Sequence, residues 1–158
     1  MIDQADIIFL GKVISVSPTR WNQDSGEMWV QTDPGNVDNT PLQLHYVELE
    51  VLRPIAARIG LDQRVNIIVV GSNPLDEYAD PNVHGLREGV QAVIFVRQTQ
   101  LTWREGRPTV LMLMGCPSDA HYILADDGLY HGRWNEQPVS LEELLKRIAQ
   151  QREIVAQP

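Results

Sequence analysis

The feature that most constrains the fold is a series of short aliphatic segments, divided by turn residues, with no amphipathic helix before residue 140. Such segments are typical of β-strands. Successive strands without helices between them cannot build a parallel βαβ sheet, so the chain is predicted to be mainly β, with an antiparallel sheet that curls into a barrel. The strand-bearing segments are ADIIFLGKVISVS (5–17), LQLHYVELEVLRP (42–54), RVNIIVVG (64–71), GVQAVIFVRQT (89–99), QLTWREGRPTVLMLM (100–114) and HYILADDGLYHGRW (121–134).

Glycine, proline and acidic residues predict where these strands bend, turn or stop. Gly11 lies in the middle of the first strand, where a bulge would let the strand turn a barrel corner. Pro54 is expected to end the second strand, because proline has no N–H to donate to a neighbour. Two hairpin turns are predicted, one at Glu105 and Gly106 and one at Asp127 and Gly128.

A helix over about 140–150 closes the chain. Ser140 and Glu143 have the spacing of a capping box, and Val139 and Leu144 have that of a hydrophobic staple. One apolar helical face is expected to pack on the barrel; its residues are Leu141, Leu144, Leu145 and Ile148. The periodicity weakens afterwards, so the final stretch QREIVAQP is expected to fray.

Composition limits the classes of partner. The length of 158 residues favours a single domain over 1–158, and no apolar run is long enough to cross a bilayer. Thirteen basic and 21 acidic residues give a net charge of −8, which argues against nucleic acid and anionic lipid as partners. The single cysteine, Cys116, follows LMLMG, and this apolar setting favours a buried, inert thiol.

Several of these segments, taken in order, resemble bacterial relatives of the netrin-like module, which is shared with tissue inhibitors of metalloproteinases. The resemblance covers most of the chain, although each motif is short. The matching motifs are ADIIFLGKV (5–13), VELEVLRP (47–54), RVNIIVV (64–70), EGVQAVIFV (88–96) and VSLEELLKRI (139–148).

The resemblance implies an OB-type β-barrel with additions, with the terminal helix packed on it, on a secreted or cell-surface protein. An extracytoplasmic location is therefore expected, with the signal segment upstream of Met1, and a cytoplasmic location is the alternative. Protease inhibition does not carry over, because the inhibitors use an N-terminal cysteine and here the chain starts Met1-Ile2-Asp3. The disulfides of the module are also absent.

The stretch SNPLDEYADPNVHG (72–85) is the candidate binding loop. Its oxygen-bearing side chains are of the type that calcium prefers, but their spacing does not match an EF-hand, and zinc would find only one local histidine. Its prolines and turn-forming residues favour a solvated loop, with ligand binding as the lesser alternative. The candidate residues are Asp76, Glu77, Tyr78, Asp80 and His84.

Other possible sites have simpler structural interpretations. His45 lies on the apolar face of its strand and is expected to be a core residue. Trp21 and Trp29 are candidate anchors for a partner, but covering the end of a barrel is their plainer role. A small basic patch would suit an oligonucleotide; it comprises Arg97, Trp103, Arg104 and Arg107.

The sequence therefore favours a non-enzymatic binding or interaction module whose partner is an unknown protein or small ligand. No catalytic, cofactor-binding or metal-binding residues are assigned. Two alternatives stay open. One is a metal-dependent hydrolase that uses the 72–85 loop together with His121 or His131, and the other is an oligonucleotide-binding OB-fold protein.

Overall fold

The computed structural model describes residues 4–28, 43–70, 85–102, 104–114, 121–132 and 136–155, with side chains described as far as 152. These residues contain a seven-stranded sheet and a C-terminal helix. The elements are β1 (Ile7–Val16), β2 (Leu44–Ala57), β3 (Arg64–Val70), β4 (Gln91–Gln100), β5 (Thr109–Leu113), β6 (His121–Leu124), β7 (Tyr130–His131) and α1 (Leu141–Val155).

Five strands close a barrel. Their order is β1-β2-β3-β5-β4, and β4 pairs again with β1 to complete the circle. β6 and β7 continue the sheet from β4. The mainly-β, OB-like barrel with a helix packed on it is confirmed. One pair, β3 with β5, is parallel, which is possible because β4 lies between them in sequence and returns the chain to the same end of the barrel.

β1 bends so that it can pair with β2 on one side and β4 on the other. Its register with β2 shifts at three places, one of them between Leu10 and Gly11. A Cβ at Gly11 would lie 2.8 Å from Cε2 of Phe9 and 3.2 Å from the carbonyl oxygen of Glu50. The register shift agrees with the bulge predicted at Gly11, and a larger residue there would force the Phe9 ring or the strand to move.

β2 does not end at Pro54, so this prediction was wrong. The strand continues to Ala57, and Pro54 lies opposite Phe9 beside another register shift. β2 pairs with β3 only between residues 44 and 50, so its second half has a strand neighbour on one side alone. A proline is tolerated there, because no N–H is needed on the unpaired edge.

Both predicted turns are confirmed. Gly106 joins β4 to β5 with a φ of 73°, and Gly128 joins β6 to β7 with a φ of 78°. Positive φ costs glycine nothing, and so each turn residue fits its position. These turns fix which residues of the paired strands stand opposite each other.

α1 packs on the barrel through Leu144 and Ile148, which are both buried in the main core. The backbone N–H of Glu143 donates to Oγ of Ser140 at 3.2 Å, which confirms Ser140 as the cap. The Glu143 carboxylate accepts a hydrogen bond from Nε of Arg147.

The helix extends to Val155, five residues beyond its predicted end. Its last turn is held in place because Arg152 donates to the carbonyl oxygen of Ala5 at 3.0 Å. No helix in the described part of the chain has both the length and the apolar character needed to cross a membrane.

Candidate binding face on the outside of β2 and β3

The predicted binding loop cannot be placed. Its candidate residues Asp76, Glu77, Tyr78, Asp80 and His84 lie outside the described residues, as do Trp29, Trp103 and Cys116. Within the described ranges, no group of three or more His, Cys, Asp or Glu side chains is arranged to hold a metal ion.

The described histidines occupy structural positions. His45 is fully buried opposite Val69, as predicted, and it takes part in interactions there. His121 is buried opposite Ile94 and is also engaged. His131 lies on the surface. The two histidines named for a hydrolase thus have different environments, one inside the fold and one in solvent.

His131 instead forms part of the β6–β7 turn. Its Nε2 lies 2.9 Å from Oδ2 of Asp127, whose Oδ1 accepts a hydrogen bond from the backbone N–H of Leu129. The Leu129 N–H first, and His131 second, lower the pKa of Asp127 below its ordinary value. Both contacts stabilise a surface hairpin, which agrees with the structural interpretation of this acidic turn.

A different set of residues meets on the outside of the barrel, where the β1–β2 connection folds back along β2. Arg20 and Leu44 exchange two backbone hydrogen bonds of 2.9 Å, and Ser17 makes two of 2.8 Å with the backbone of Tyr46. This segment therefore runs beside the start of β2 as a short added strand. It brings Arg20 over the outer face of the sheet.

Two arginines cover the ring of Tyr46. The guanidinium carbons of Arg20 and Arg104 lie 5.8 Å and 5.5 Å from the ring centroid. Arg104 also forms an ion pair with Asp24, and the N–H of Glu105 donates to the carbonyl oxygen of Asn22 at 3.2 Å. We call Arg20, Asp24, Tyr46 and Arg104 the arginine–tyrosine cluster.

A small apolar cluster, separate from the barrel interior, underlies the arginine–tyrosine cluster. It consists of Leu44, Ile68 and Leu101, with Tyr46, Val70, Val110 and Met112 packed around it. Opposed residues on neighbouring strands share a face. The register therefore places Tyr46, Ile68, Met112 and Arg97 in one row across β2, β3, β5 and β4.

This row lies where OB folds bind their ligands, on the face of strands 2 and 3 between the β1–β2 and β4–β5 loops. In this chain those two loops contact each other directly, through the Arg104–Asp24 and Glu105–Asn22 interactions. These contacts tie the described part of the β1–β2 connection to the β4–β5 loop beside the face.

Two large apolar side chains lie in the described part of the β1–β2 connection that carries Arg20 and Asp24. Trp21 is half-buried, and Met28 is 53% exposed. Arg97 is exposed at the opposite end of the row. The face therefore offers tyrosine and arginine, two of the residue types enriched at protein–protein interfaces, with Trp21 and Met28 in the adjoining connection.

The basic patch predicted from the sequence is present only in part. Arg104 belongs to it, but its guanidinium is already engaged by Asp24 and Tyr46. Arg107 makes further contacts of its own, so neither arginine is free for a phosphate backbone. Sequence reasoning missed Arg20 and Tyr46, because no local pattern links an arginine in a connection to a tyrosine in the following strand.

Comparisons with known proteins leave the ligand open, since no protein-family model, curated protein or solved structure matches this chain.

Proposed function

We propose that the chain is a non-enzymatic binding module whose partner is a protein, and that the partner docks on the outer β2–β3 face at the arginine–tyrosine cluster. The observation that supports this most is the cation–π contact of Arg20 and Arg104 with the ring of Tyr46. It brings aromatic and guanidinium groups together at the position where OB folds bind their ligands. Tyr, Trp and Arg supply most interface hot spots.

The same observation argues against the oligonucleotide alternative. Nonspecific single-strand binding requires open aromatic faces on which bases stack, in a basic groove. The chain's own guanidinium groups cover the Tyr46 ring, so a base would have to displace one of them. The net charge of −8 further opposes a polyanion.

The proposal can be tested with a photo-crosslinking residue placed at Met28, an exposed residue of the connection that carries Arg20 and Asp24. Leu52 is the matched control position, because among the described residues it too is a large apolar side chain with high exposure, at 43%. We expect crosslinking to a protein from the native host at position 28 and not at 52. Unlabelled wild-type protein should compete for this crosslinking.

Quantitative binding must follow, since capture alone does not establish the site. With the captured partner purified, Arg104→Gln and Trp21→Ala should weaken its affinity at least tenfold, as expected for interface hot spots. Arg87→Gln, an exposed arginine away from the face, should leave the affinity unchanged. Equal crosslinking at 28 and 52, or salt-sensitive retention on single-stranded DNA, would contradict the proposal.

We also propose, from the netrin-like resemblance alone, that the protein works outside the cytoplasm. Immunodetection in fractions of the native host tests this directly. A signal confined to the cytoplasmic fraction would remove the location and weaken the resemblance, while leaving the docking face to be judged by its own experiment.

A further inference from the structure

A second surface feature lies on the opposite half of β2, where α1 crosses it. A groove of about 260 Å³ opens between the strand and the helix. Its residues are Arg53, Pro54, Ile55 and Ala56 from β2, and Leu145, Ile148, Ala149 and Arg152 from α1. The floor is apolar, and an arginine contributes to each wall.

The groove exists because β2 is longer than β3. Beyond the last β2–β3 register pair, Glu50 with Arg64, the second half of β2 pairs with β1 alone. The helix residues that line the groove have the spacing i, i+3, i+4 and i+7, so they form one helical face. Buried Ile148 holds that face against the barrel, while Ala149 is exposed and leaves room above the floor.

Positive charge is concentrated at this groove although the chain as a whole is acidic. Arg152 is anchored by its bond to the carbonyl oxygen of Ala5, and its Nε is buried without a hydrogen-bond partner among the described residues. Within those same residues, neither Arg53 nor Arg152 forms an ion pair with a carboxylate. Burial first, and the nearby charge of Arg58 second, lower the pKa of Arg152.

We infer that this groove binds a small amphipathic carboxylate, with the carboxylate between Arg53 and Arg152 and a short hydrocarbon body on the Ile55, Leu145 and Ile148 floor. The exposed guanidinium of Arg53 can donate two parallel hydrogen bonds to a carboxylate, and the charge of Arg152 on the other wall attracts the same anion. An inorganic anion leaves the floor exposed to water, and a neutral apolar ligand leaves the arginines without a counter-charge.

The experiment is a titration of the full chain with sodium hexanoate, followed by backbone amide chemical shifts and by calorimetry. 1-Hexanol and sodium acetate are the matched probes, since one lacks the charge and the other lacks the body. With hexanoate we expect saturable chemical-shift changes in residues 53–56 and 145–152. Each control ligand should bind at least about tenfold more weakly than hexanoate. Equal response to hexanol, or shifts spread over the whole surface, would overturn the inference.

Variants locate the site independently. Arg53→Gln removes an exposed side chain that the fold does not use, so the protein should keep its stability and bind hexanoate about tenfold more weakly. Ala149→Leu fills the groove from its exposed side and should abolish binding. Arg147→Gln, on the same helix but paired with Glu143, is the control and should bind as the wild type does. Unchanged binding in both groove variants would refute the site.

Discussion

Removal of the Arg104 guanidinium is the perturbation that tests the candidate binding face most directly. In Arg104→Met the apolar stem is retained, whereas the ion pair with Asp24 and the contact with the Tyr46 ring are lost. The Asp24 side chain is 93% exposed, so solvent screening limits that pair to about 0–0.5 kcal/mol. The Arg104 side chain is only 11% exposed, so its cation–π contact should contribute about 1 kcal/mol.

The expected loss in the free energy of unfolding is therefore about 1–1.5 kcal/mol, or a decrease in Tm of roughly 2–6 °C for a chain of this length. Urea unfolding of Arg104→Met, Tyr46→Leu and the double variant gives the coupling between the two side chains. Asp24→Asn is the control and should cost no more than about 0.5 kcal/mol. A coupling of zero between Arg104 and Tyr46, with Asp24→Asn as costly as Arg104→Met, would refute the stacking argument.

Three further predictions concern the fold. Gly11→Ala should lower the free energy of unfolding by about 1–3 kcal/mol, because the new Cβ would lie 2.8 Å from Cε2 of Phe9. Gly60→Ala is the control; a Cβ at Gly60 meets open space, so this variant should be near neutral in the same urea series. Ser140→Ala should cost about 1 kcal/mol of unfolding free energy through loss of the helix cap, and an unchanged urea midpoint would contradict this. The turn N–H of Leu129 first, and His131 second, lower the pKa of Asp127 in the folded protein. The stability that the Asp127 carboxylate contributes is therefore present above the ordinary pKa of 3.8 and is lost as the pH falls below that value. Asp127→Asn should flatten this acid limb of a Tm–pH profile, and an identical limb in the variant would exclude the assignment.

The strands and turns could be predicted because they depend on residues that are close in sequence. Alternating aliphatic residues indicate strands whatever they pair with, and Gly106 and Gly128 fit their turns through their own φ. Pro54 was misread because its effect depends on a non-local fact. Proline ends a strand that is paired on both sides, but β2 has lost β3 by that point, and nothing near Pro54 in the sequence shows where β3 stops.

The candidate face could not be predicted for the same reason. Arg104 attracted attention as a possible phosphate contact, yet its partners Asp24 and Tyr46 come from a connection and a strand far away in the sequence. Arg152 lies in a stretch expected to fray, and its anchor on Ala5 joins the two ends of the described chain. Residues 72–84 of the acidic loop lie outside the described residues, so the role of the loop in binding stays a prediction.

Both proposed sites depend on the length of one strand. β2 has 14 residues and β3 has seven, so β2 pairs with β3 along its first half and only with β1 along its second half. The half that pairs with β3 carries Tyr46 on the outer face of the sheet, and the half without β3 leaves an edge that α1 borders to form a groove. Tyr46 and Arg53 are seven positions apart, or about 23 Å along an extended strand. A ligand shifts a conformational equilibrium only if it binds one conformation more tightly than the other. Among the described residues, no contact would make hexanoate prefer one conformation of the Tyr46 face over another. Hexanoate binding should therefore leave the affinity for the protein partner unchanged, and Arg53→Gln should leave the Arg104–Tyr46 coupling intact. If hexanoate changed the affinity for the partner, or Arg53→Gln changed the Arg104–Tyr46 coupling, β2 would have to move as a unit between two registers. The bulged pairing of β2 with β1 would then have to permit that movement.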